Sequence, residues 1–361
     1  MKIYYFLISV LTVREGVEQV KALISDLVSK TLRIRLGHSN ATSTNHTVFR
    51  NADLGCSVGS NAIAVLQIIL EAVERKYKSG DHGIIASSHH LPEFQVFFND
   101  NASNDFNTLF RSLPLDRHYL VAGVPGSFHG RLFPKATINI IHSSFALHWL
   151  SKLPEEVLDR KSNAWNGGEI FYAGAGAKEA VVEAYLAQFS KEMECFLSAR
   201  AVEMVDQGLM FLLFPCRRDE IHPSESILEV GFSCLGSCLN DMANQGIFDQ
   251  DKVDTFNLPI YIPSPLEVKN VVEKDGRFSI EMLQVVAHPS SFDDAGYPRF
   301  ASVHVRAALE GIISKHFGDH IIDDLFERFD AKLEELFNDY KAFRSSDLQL
   351  QELFLLLKCI H

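Results

Sequence analysis

The chain has 361 residues, 47% hydrophobic and 22% charged, an ordinary soluble composition with room for one large domain and an appendage, or for two domains. Its formal net charge is −12 and it holds no Lys/Arg block, which argues against a nucleic-acid surface, where clustered cations must meet phosphates. Six cysteines (Cys56, Cys195, Cys216, Cys234, Cys238 and Cys359) are too sparse for a disulfide scaffold; they read as free thiols in a reducing compartment, and no zinc site is expected.

The opening MKIYYFLISVLTV is one lysine and an apolar run, too short to span a bilayer and followed by no small-residue cleavage site. A cytosolic protein without a membrane partner is expected, with secretion the minority reading. Helical spacing then runs from about Gly16 to Leu32. After a polar loop, a strand is predicted over 47–54, leading through the glycine turn of NADLGCSVGSNA into a helix near 60–77. EFQVFFND reads as the next strand, FNTLFRSL as a short helix, and HYLVAGVPG and ATINIIHSSFALHW as two further strands. A long amphipathic helix is predicted over about 177–206, stopping at Gly208, before a buried strand GLMFLLFPC.

This alternation predicts an open, mainly parallel α/β sheet with helices on both faces. Helical patterns at 225–246, 265–274 and 300–317 surround the extended TFNLPIYIPSP, which suggests a helical cap over the sheet's ligand edge. The expected division is an α/β unit over 1–221, with returning segments near 275–290 and 345–361, and a mainly helical cap over about 222–345. The final LQELFLLLKC reads equally as a strand or a helix.

Ligands of such sheets sit at the carboxyl ends of the strands, here Asp53, Asp100, Gly123–Gly126 and Ser143–Ser144. A phosphate loop is excluded because no lysine follows Gly59, and the dinucleotide spacing is weakened by Ser57 where a glycine belongs. The nucleoside left is S-adenosylmethionine (SAM), whose cationic methionine end suits Asp53 and whose ribose hydroxyls suit Asp100. The plainer alternative is that both aspartates cap the helices that follow them.

EFQVFFNDNASNDFNTLF, VAGVPGSFHGRLFP, IIHSSFALHWLSKLPEEV and DKVDTFNLPIYIPS resemble the plant SABATH family, SAM-dependent methyltransferases of small carboxylic acids and, in some branches, of xanthine nitrogens. The resemblance spans roughly residues 15–320. It implies a Rossmann-like class I methyltransferase sheet with an α-helical cap, a cytosolic homodimer, and the following roles. Asp53, Cys56 and Asn61 would lie against the methionine part of SAM. Asp100 would hold the ribose with Asn101, where the family usually has leucine, beside it. Ser127 and Phe128 would contact the adenine. Ser144, on the cofactor side, and Phe145, His148 and Trp149, on the substrate side, would line the boundary between cofactor and substrate, and Gln19 would join His148 and Trp149 on the substrate carboxylate. Asn166, Asp254, Phe256 and Asn257 match positions where some members bind magnesium, here expected as an optional or structural ion. On the residues alone, SSFALHWL reads instead as the start of an amphipathic helix with a core tryptophan.

Upstream of Gln19 the match breaks down: Thr12 falls where the family has a tyrosine, Gly16 where it has a serine, and Tyr4 at about the place of a lysine. The expected chemistry is in-line methyl transfer to a carboxylate already ionised near neutral pH, so no general base is required. The alternatives are a xanthine-type N-methyltransferase and an inactive paralogue with an altered N-terminus.

Overall fold

Runs of aromatic and β-branched residues build a central sheet whose inner strands are largely buried. The computed structural model describes residues 21–32, 48–79, 91–174, 176, 178–223, 227–287, 297–341 and 351–360. In chain order the elements are α1 (21–31), β1 (Val48–Leu54), α2 (Ser60–Lys78), β2 (Glu93–Asp100), α3 (Phe106–Arg111), β3 (Tyr119–Pro125), β4 (Ile138–Ser144), α4 (Glu179–Glu203), β5 (Met204–Cys216), α5 (Ile227–Asn244), α6 (Gln250–Asp254), α7 (Pro265–Asp275), β6 (Phe278–Ala287), α8 (Tyr297–Phe317), α9 (Ile322–Lys341) and β7 (Gln351–Cys359).

The seven strands are ordered β3-β2-β1-β4-β5-β7-β6. Neighbours from β3 to β5 pair in parallel, and β7 runs antiparallel to both β5 and β6. Strand order reverses between β1 and β4, so a crevice opens there at the carboxyl edge of the sheet. Both apolar clusters pack on this sheet: one joins β1 and β2 to α2, the other joins β4, β5 and β7 to α4, α5, α8 and α9.

The open ending LQELFLLLKC is a strand: β7 inserts between β5 and β6 and buries both of its faces, which a helix in that slot could not do. The helix predicted to run to about 206 ends earlier, at Glu203, and Gly208 is not its stop. Gly208 lies inside β5, where an added Cβ would meet Val205 O at 2.9 Å and Asn139 O at 3.1 Å. The β4–β5 register shifts at this place, so the glycine accommodates a bulge. SSFALHWL is not a helix either: after β4 the chain turns through Phe145 at φ +53° and forms a single antiparallel bridge, Trp149 to Ile260. The expected extended TFNLPIYIPSP supplies that partner, with Tyr261 N donating to His148 O and Leu150 N to Pro259 O. α9, not singled out in the sequence, buries Leu325, Phe329 and Leu333 along one face against α5 and α8.

All six cysteines are unpaired, and only Cys195 is exposed. Among the described residues no helix is long and apolar enough to cross a membrane.

Candidate functional site

The β1 turn is built on close approach. Gly55 has φ +80°, and a Cβ placed on it would lie 2.4 Å from Ala146 Cβ, in the turn after β4. Ser57 follows at φ +52°, a strained conformation for a non-glycine residue. The strain is held from the neighbouring strand: Asp100 Oδ2 accepts from Ser57 N at 2.7 Å, and Asn104 Nδ2 donates to Ser57 O at 2.9 Å. Asn99 O accepts from both Gly55 N and Cys56 N. The buried Asn99 side chain, in turn, donates to Val124 O and Gly126 O at the end of β3.

Neither aspartate caps a helix. Gly59 is the N-cap of α2 with no side-chain bond, and α3 is capped by Asp105. Asp100 accepts instead from the backbone of Ser57 and Asn101; burial nevertheless pushes its carboxyl above the usual range, opposed by those two N–H bonds. Asp53 is nearly enclosed and hydrogen-bonds His142 Nδ1, directly opposite it in the β1–β4 register. His142 Nε2 in turn meets Ser144 Oγ at 2.6 Å.

Of the predicted site residues, Asp53, Cys56, Asn61, Asp100, Ser127, Phe128, Ser144 and Phe145 gather on the carboxyl ends of β1 to β4. Cys56 is buried, its thiol pushed up by burial and by the charges of Asp53 and Asp100. Asn61 Oδ1 is a buried acceptor to which nothing among the described residues donates. Asn101 is at the site's margin: it is exposed, and its side chain folds onto its own loop through Ser103. Ser127 Oγ accepts from His129 N, while Phe128 packs edge-on to Phe196 and reaches the Gly55 turn. Gln19 lies outside the described residues.

His148 and Trp149 follow on the same turn, rings 5.7 Å apart. His148 Nδ1 is buried without a partner among the described residues, and burial lowers the ring's pKa to about 3. The imidazole is therefore neutral near pH 7. Glu192 holds this turn from α4 by accepting from Ser151 N at 2.8 Å and Ser151 Oγ at 2.7 Å.

A buried ion pair fixes the Phe128 loop. Arg200 and Glu203 are fully enclosed; Arg200 donates to Phe128 O and Gly130 O at 2.6 and 2.7 Å. Glu203 Oε1 accepts from Leu132 N and from Phe133 N. His142, Asn99, Glu192, Arg200 and Glu203 were all missed from sequence. The signal for His142 was its position opposite Asp53 once the two strands are laid side by side; the others depend on loop carbonyls and amides that no residue pattern displays.

The expected magnesium set is only partly assembled. Asn166 and Asn257 are buried side by side, Asn166 Nδ2 donating to Asn257 Oδ1 at 2.7 Å, so the Asn257 oxygen is already engaged, while Asn257 Nδ2 has no partner among the described residues. Phe256 sits in the core against Phe317. Asp254, the one carboxylate, accepts from Gln250 and already has Arg160 Nη2 at 3.9 Å. A guanidinium beside the only anionic ligand does not fit a hard divalent cation. Among the described residues no cluster of three or more His, Cys, Asp or Glu side chains is placed to hold a metal. The melting temperature is accordingly expected to move by less than about 1 °C between EDTA and millimolar magnesium, as scanning calorimetry would check.

A sequence model of the SAM dependent carboxyl methyltransferase family matches residues 12–357. The chain belongs to this family. The match runs from before β1 into β7. Among its relatives, loganic acid O-methyltransferase of Catharanthus roseus is 41% identical over 337 residues, covering 92% of this chain and 87% of the relative. Farnesoic acid carboxyl-O-methyltransferase of Arabidopsis thaliana is 39% identical, covering 79% of each. A 3,7-dimethylxanthine N-methyltransferase of Camellia sinensis var. assamica is also 39% identical, over 77% of this chain and 76% of its own. A solved structure of loganic acid methyltransferase with S-adenosylhomocysteine superposes with a TM-score of 0.87 at 38% identity, covering 97% of this chain and 95% of that one. This carboxyl methyltransferase thus shares its fold with a cofactor-bound relative along nearly its whole length.

Proposed function

We propose that this carboxyl methyltransferase makes the methyl ester of a small plant acid, with SAM held across the carboxyl ends of β1, β2 and β3 and the acid held by the turn after β4. The observation that carries the reading is the neutral His148, its Nδ1 buried with no partner among the described residues, beside Trp149 and one turn beyond Ser144. Neutral ring N–H donors can hold a carboxylate without quenching it as a cation would, so the oxygen keeps its nucleophilicity.

Each cofactor group has a fitting counterpart. The uncapped N-terminus of α2 leaves amide groups for the methionine carboxylate. Asp53 and the orphaned Asn61 Oδ1 suit the ammonium. The Asp100 carboxylate is oriented by two backbone amides toward the ribose hydroxyls, and Phe128 offers a face to the adenine. SAM supplies the electrophilic methyl. The chain's residues contribute alignment and exclusion of water, and no side chain needs to take a proton from a carboxylate. The helices between about 222 and 345 shape the acyl side of the pocket. No step depends on magnesium, which the residues expected to hold it do not fit. A cytosolic location and a homodimer belong to the same proposal by resemblance.

His148→Ala is expected to raise KM for the acid about tenfold or more while leaving KM for SAM within about twofold. Steady-state kinetics with each substrate varied in turn measure this; equal effects on both constants would refute the assignment. Because the native ring stays neutral, the unfolded chain binds its proton first: this residue's support of the fold is complete above about pH 6.5 and is lost toward pH 3. The N-methyltransferase alternative draws on the xanthine-methylating relative, and the inactive alternative on Thr12 and Gly16, both outside the described residues.

A further inference from the structure

The Asp53–His142–Ser144 chain spans β1 and β4, the two strands between which the order of the sheet reverses. Asp53 and His142 are cross-strand neighbours, and both side chains are less than a tenth exposed. Their link therefore closes the floor of the crevice where a ligand of this fold lies.

The direction of the hydrogen bonds follows from chemistry. A carboxylate at Nδ1 selects the Nδ1–H tautomer, because only a donor can satisfy it. With a single proton on the ring, Nε2 carries a lone pair and Ser144 gives its hydroxyl proton to it. Ser144 Oγ is left with acceptor capacity only. Asp53 Oδ2 is likewise an acceptor, and nothing among the described residues donates to it. Two acceptors, separated by one imidazole, thus lie near the carboxyl ends of β1 and β4, with Asn61 Oδ1, which has no donor among the described residues, on the adjoining turn.

We propose that His142 is a positioning residue that fixes Asp53 and Ser144 as acceptors for the ammonium group of SAM. This rests on the cofactor reading above and sharpens it: Ser144, expected on the cofactor side of the boundary with the substrate, serves the ammonium group. A serine locked as an acceptor would repel a substrate carboxylate, which has only lone pairs to offer. The acid must then take its donors from the next turn, at His148 and Trp149. The imidazole also spreads the demand of a nearly buried carboxylate, keeping Asp53 oriented before the ligand arrives.

The test is calorimetric titration of the full chain with two probes. S-adenosylhomocysteine carries the ammonium; 5′-methylthioadenosine has the same nucleoside and sulfur without the amino-acid end. His142→Phe, which keeps a ring in the strand but neither bond, should weaken S-adenosylhomocysteine about tenfold or more and change methylthioadenosine by less than about twofold. His142→Asn, which retains a donor toward Asp53, should recover part of the loss. Ser144→Ala tests the far end with little risk to folding and should also weaken only the ligand with the ammonium. Equal losses for both probes would mean that His142 merely supports the strand, and unchanged S-adenosylhomocysteine affinity in Ser144→Ala would overturn the proposal. If the unaltered protein failed to bind S-adenosylhomocysteine, the cofactor reading would fall first and this inference with it.

Discussion

Glu203→Ala is expected to lower the stability of the fold by about 3–5 kcal/mol, the usual consequence of leaving one member of a buried ion pair alone. Arg200 would remain enclosed without its counter-charge. The loss extends beyond the pair. Glu203 also accepts from Leu132 N and Phe133 N, and Arg200 donates to Phe128 O and Gly130 O. The pair is therefore a clamp on the loop that carries Phe128, and S-adenosylhomocysteine affinity should fall together with the denaturant midpoint. An apolar replacement of both partners, Arg200→Met with Glu203→Leu, separates the two contributions. A simple buried pair can be exchanged for hydrophobic residues at little cost. Here the exchange would leave two loop carbonyls and two loop amides unsatisfied, so the double variant should stay well below the native protein. Urea unfolding checks both expectations, and a double variant as stable as the unaltered chain would remove the clamp from the account.

Asp100→Ala is the second large effect. It deletes a carboxylate that accepts from Ser57 N and Asn101 N, both at 2.7 Å. Ser57 is held at positive φ by that bond and by Asn104, so the β1 turn should relax at the place where the methionine end would lie. The ribose loses its acceptor at the same time. Charge-assisted bonds of this kind are worth about 1.5–3 kcal/mol each, which corresponds to a loss of at least about a hundredfold in S-adenosylhomocysteine affinity. Asn101→Ala is the control. Its exposed side chain is engaged with Ser103, and affinity should stay within about twofold. Equal affinities of Asp100→Ala and the unaltered protein would show that this carboxylate only shapes the turn.

The strands were readable because aromatic and β-branched residues mark them: β2 is found at the predicted EFQVFFND, and β1, β3 and β4 lie within a residue or two of expectation at their carboxyl ends. Those ends fixed the site, and the resemblance named its ligand. Polar residues inside strands carry no such mark. His142 lies in an apolar strand, and its meaning depends on the register that sets it opposite Asp53. Arg200 and Glu203, three apart on a long helix, have the spacing of a solvated surface pair, yet loop backbone covers both. Gly208 looked like a helix stop because its conformational freedom serves a bulge equally well. Asn101 matched by position, but its side chain had a local partner that the alignment of motifs could not display.

Product analysis decides which group this enzyme methylates. The protein is incubated with methyl-labelled SAM and, separately, loganic acid, farnesoic acid and a xanthine, and the products are identified by mass spectrometry. Label in a methyl ester of a carboxylic acid is the predicted result. Label on a xanthine nitrogen alone, or tight S-adenosylhomocysteine binding with no ester from any acid offered, would contradict it.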